Sequence, residues 1–98
     1  MAGLKISGEL SIYQVGELKQ QFQQALAQAL HEQSPLELDM SEMSECDGAG
    51  LQLLLSVAKS ASEFEIAVHL VHTSPAMQEL LNLYGLAPRF VMKELAHE

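Results

Sequence analysis

Ninety-eight residues set a limit of one domain, spanning 1–98, and a hydrophobic share of 48% allows it a modest core of its own. Aromatics make up 5% and tryptophan is absent, so Leu, Ala, Val, Ile and Met must fill that core. The net charge is −8, with Lys5, Lys19, Lys59, Arg89 and Lys93 scattered; neutralising phosphates takes clustered Lys and Arg, which argues against nucleic acid or an anionic membrane as partner.

In chain order, Leu4, Ile6, Leu10 and Ile12 alternate with polar residues around Gly8. That period of two predicts a strand pair or one bent strand, with Ser7-Gly8-Glu9 as turn or bulge. Val15, Leu18, Phe22, Ala25, Leu26, Ala29 and Leu30 fall at helical spacing and predict a helix from about Gln14 to His31, ended by Ser34-Pro35. Leu36, Leu38 and Met40 alternate with Glu37 and Asp39 as a strand, and Ser41 to Cys46 reads as a short acidic connection. A second helix is expected from Asp47 to about Ser62. Its stripe of Leu51, Leu54, Leu55 and Ala58 is widened by Leu53 and Val57, as in a helix packed on two sides or one keeping an apolar edge for a partner.

Ile66 to His72 is nearly continuously apolar, the pattern of a central strand covered on both faces. Ser74-Pro75 starts a third helix with serine as N-cap and proline at its first position. Met77, Leu80, Leu81 and Tyr84 mark its buried face, and Gly85 is placed to end it as a left-handed cap. Arg89 to Lys93 reads as a last short strand. Strands alternating with helices argue for an α/β layer architecture with a mainly parallel sheet.

The chain is organised around Cys46-Asp47-Gly48-Ala49-Gly50-Leu51. Asp47 is an N-cap candidate, because its carboxylate can accept from the free N–H groups of a first helical turn. Gly48 and Gly50 leave that turn bare enough for another molecule's backbone to approach. Catalytic machinery is missing. His69 and His72 would leave opposite faces of a strand, His31 ends a helix, and His97 is in a tail. Asp39-x-Ser41-x-Met43 has Ser44 where a calcium loop requires glycine and Met43 in place of an oxygen ligand. Cys46 has acidic neighbours that raise its pKa rather than activate it. No Gly-Lys-Ser/Thr or dinucleotide fingerprint accompanies the glycines, and Asp39, Glu42, Glu45 and Asp47 would repel a triphosphate. No metal, cofactor or enzymatic activity is expected. The single cysteine excludes an internal disulfide, and no secretion signal or bilayer-length apolar run is visible, so a cytoplasmic protein without membrane insertion is expected.

Asp39-Met40-Ser41, followed by Asp47-Gly48-Ala49-Gly50-Leu51 eight residues after the first aspartate, resembles the STAS domains of bacterial anti-sigma-factor antagonists. Leu70 to Pro75, Leu80 to Leu86 and the opening Ser7-Gly8-Glu9-Leu10, placed like the family's first hairpin, extend the resemblance over nearly the whole chain. It implies a sheet of four or five strands, mixed but mainly parallel, with helices packed on one face. It also implies a non-enzymatic switch that contacts its partner through the Asp47 loop and the following helix. In regulated members a Ser or Thr in that loop is phosphorylated. Here the acceptor position is Ala49 and Gly48 also lacks a hydroxyl, which excludes control at the usual site; Ser41 and Ser44 remain in the same turn.

The resemblance points first to a module docking a signalling protein, either a chemotaxis-type sensory histidine kinase or an anti-sigma-factor kinase, in constitutive contact or controlled through that partner. The alternatives are a subunit regulating an ABC-type phospholipid transporter ATPase, where Gly48 departs from a frequent Thr, and a nucleotide or lipid binder, which the acidic loop disfavours. A homodimer is left open. The expected contact patch is Asp47, Gly48, Ala49 and Gly50, flanked by Glu45 and Gln52, with Leu53 and Val57 as apolar contacts where exposed.

Overall fold

The computed structural model describes residues 2–93. Its elements alternate: β1 (Ala2–Leu10), α1 (Val15–Glu32), β2 (Leu36–Cys46), α2 (Gly48–Glu63), β3 (Val68–Val71), α3 (Pro75–Leu83), a 3-10 turn (Ala87–Arg89) and β4 (Val91–Lys93). The strands lie side by side in chain order, and each described pairing is parallel. Right-handed crossovers that always step to the same side return every helix over one face of the sheet. Burial agrees, because Leu36, Leu38 and Met40 are buried while Glu37 and Asp39 between them are half-exposed. The helix-backed, four-stranded sheet expected from the sequence is present, with no antiparallel pair among the described residues.

The core lies between sheet and helices. Ile6, Leu10, Leu36, Leu38 and Leu70 project from the strands to meet Phe22 of α1, Leu54 of α2 and Leu81 of α3. α1 presents Leu18, Phe22, Ala25 and Ala29 along one stripe and closes at Gln33, whose φ of 54° turns its N–H back to the Ala29 and Leu30 carbonyls. α3 starts as predicted: the Ser74 hydroxyl accepts the Met77 N–H at 3.1 Å, with Pro75 in the first turn.

Several expectations need correction. Ser41 to Cys46 is not a connection but the second half of β2, paired with β1 as far as Leu10 and Cys46. Two register shifts accommodate the extra residues of β2. β1 is one bent strand rather than a hairpin, with Gly8 at a φ of 79° where it bends. Ile12 lies beyond it in an exposed turn. β3 is shorter than Ile66–His72, because the end of α2 takes up Ile66, whose N–H bonds to the Ala61 carbonyl at 2.8 Å. His72 has a φ of 60° and has left the strand. Tyr84, expected on the buried face of α3, is 62% exposed, one residue before Gly85 at a φ of 69°. Arg89 belongs to the 3-10 turn rather than to β4. His97 lies outside the described residues.

β3 pairs with β2 only over Leu36–Asp39, so the upper halves of β1 and β2 run on as a two-stranded ribbon. The β1–α1 and β2–α2 turns sit together at its end. This is the carboxyl end of the strands, where parallel α/β sheets present their binding loops.

Candidate functional site

Asp47 joins the two turns. It caps α2 from an extended conformation, and its Oδ1 accepts the Gly50 N–H at 2.9 Å. Its Oδ2 accepts the Ile12 N–H at 3.1 Å, and its own N–H donates to the Leu10 carbonyl at 3.1 Å. The Gly50 and Ile12 hydrogen bonds hold the carboxyl below the usual carboxylate range although it is exposed. Asp47 is therefore a clamp as well as a cap.

The two glycines that follow have different reasons to be glycine. Gly50 is buried, and a Cβ there would overlap the Leu10 carbonyl group, 2.8 Å from its carbon. The backbone that approaches Gly50 is the chain's own, so this residue is removed from the expected contact patch. Gly48 is exposed, has no left-handed φ, and a Cβ there would meet nothing within 4 Å. Among the described residues no contact requires glycine at this position. Ala49 between them is half-exposed.

Glu45 is exposed at the end of β2, and Gln52 is exposed one turn along α2. Leu53 and Val57 are 8% and 7% exposed, because α2 turns them against Phe22 and Leu26 of α1. They belong to the helix–helix contact and drop out of the patch. On the other flank of α2, a groove of about 290 Å³ is lined by Gly48, Leu51, Gln52, Leu55, Tyr84 and Leu86. Half-buried Leu55 is the apolar residue of α2 that remains available there.

Sequence reasoning missed the neighbouring turn. Ile12 and Tyr13 are 66% and 86% exposed, beside the Asp47 loop. The buried Ser11 hydroxyl donates to Glu9 Oε1 at 3.0 Å and accepts the Tyr13 N–H at 3.3 Å, which fixes this turn to the end of β1. Two consecutive large apolar residues just after a strand were the available signal, but the alternating pattern assigned Ile12 to the strand.

Cys46 is half-buried and donates weakly to the Asp47 carbonyl at 3.6 Å. Burial and the Asp47 charge push its thiol up to about 11, far from a nucleophile's range. Among the described residues no group of His, Cys, Asp and Glu side chains is placed to hold a metal ion, and no helix is long and apolar enough to cross a membrane.

A family model described as "Mlab, STAS domain" matches residues 2–92. A putative anti-sigma factor antagonist from Thermotoga maritima superposes with a TM-score of 0.80 at 19% identity, over 96% of this chain and 78% of that one. The anti-sigma factor antagonist SpoIIAA in its unphosphorylated form gives 0.66 at 17% identity, over 96% and 79%. A sulfate transporter family protein from Wolinella succinogenes gives 0.70 at 18% identity, over 95% and 76%. At such identities the solved structures speak for the fold. No curated protein matches the chain in sequence.

Proposed function

The chain belongs to the STAS domain family, and from that premise we propose that it is a non-enzymatic docking module that binds a sensory or anti-sigma kinase through the Asp47 loop and the start of α2. The observation that carries this reading is Gly48. It is exposed, bare and unexplained by any contact among the described residues, while Asp47 ties the surrounding turn to Ile12 and Gly50. A pre-ordered, uncluttered backbone suits close approach by a partner, since little entropy is lost on binding.

SpoIIAA has been solved in both an unphosphorylated and a phosphorylated form. At the position where the family resemblance puts the acceptor, this chain has Ala49. Docking is on this reading constitutive, or controlled through the partner.

The test is affinity capture from native cytoplasm and from detergent-solubilised membranes, comparing the wild type with Ala49→Glu. Added charge and bulk at a half-exposed position on the first turn should release a bound kinase. A kinase retained equally by both chains removes this loop from the interface. Stoichiometric phosphorylation of Ser41 or Ser44 by that kinase would sink constitutive docking.

A second reading, a subunit regulating an ABC-type phospholipid transporter ATPase, is favoured by the Mlab description of the matched family model. Recovery of an ATPase with its permease, lost with Ala49→Glu, would put this reading first.

A further inference from the structure

We draw no further inference here: the strongest candidate, the groove of about 470 Å³ on the outer flank of α3 beside Ala76, Leu80 and the exposed Leu83, is an unpartnered apolar face, and nothing in the structure shows what covers it.

Discussion

The carboxylate of Asp47 accepts the backbone N–H of Ile12 at 3.1 Å, across 35 residues of sequence, while its other oxygen caps α2 through Gly50. One side chain thus sets the relative position of two turns. Asp47→Ala should release both, lowering the thermal midpoint and speeding amide exchange at Ile12 and Gly50 together. Asp47→Asn, which keeps one acceptor oxygen, should lie between. Exchange that rises at Gly50 alone would reduce Asp47 to a helix cap.

The same hydrogen bonds give stability a pH dependence. They hold the Asp47 carboxyl below its ordinary value, and the Ser41 backbone N–H, 2.9 Å from Asp39 Oδ1, does the same for Asp39. A carboxyl whose folded pKa is depressed stabilises the fold above its unfolded pKa, about 3.9. That contribution disappears as pH falls through the lower, folded value. Denaturant midpoints should therefore show no loss from these groups between about pH 5 and 7, and fall below about pH 4. The fall should be smaller in Asp47→Ala. An identical acid limb in the variant would mean that Asp47 contributes nothing there.

The helix–helix seam provides a control for the docking experiments. Leu53 packs against Phe22 and Leu26, so Leu53→Ala should cost about 2–5 kcal/mol through lost burial and the cavity left behind. Urea denaturation measures it directly. A loss well under 1 kcal/mol would show the seam to be loose and return Leu53 to the list of available contacts.

Residues governed by local periodicity were legible in the sequence. The stripe Leu18, Phe22, Ala25 and Ala29 and the cap Ser74-Pro75 needed no partner strand to be recognised. Ser41 to Cys46 was not legible, because acidic residues there alternate with no apolar face; their strand exists through pairing with β1. Asp47 was visible as a cap, since that bond lies within three residues, but its bond to Ile12 depends on tertiary register. The same limit hid the difference between the two glycines. Gly-x-Gly reads as one bare turn until Leu10 is placed beneath the second residue.

Cys46 tests the electrostatics of the site without a partner. With its thiol pushed up to about 11 and half-buried, alkylation of the native chain at pH 8 should be far slower than that of the urea-unfolded chain. Asp47→Asn should speed it modestly by removing the adjacent negative charge. Equal native and unfolded rates would contradict both the burial and the charge.

The two glycines should separate folding from docking. Gly50→Ala forces a methyl group into the Leu10 carbonyl, and strain of this kind costs about 1–3 kcal/mol or more. Gly48→Ala meets open space at an ordinary φ. Removing a glycine at a position that tolerates a side chain stabilises by about 0.4–1 kcal/mol through the unfolded state. Urea denaturation should thus move the two variants in opposite directions. Partner affinity, measured on the folded fraction, should fall for Gly48→Ala, where the new methyl group meets only the docking surface. A Gly48→Ala chain that is more stable and binds as wild type would leave the bareness of that turn without a role in docking, and would shift the interface toward the groove at Leu55 and Tyr84.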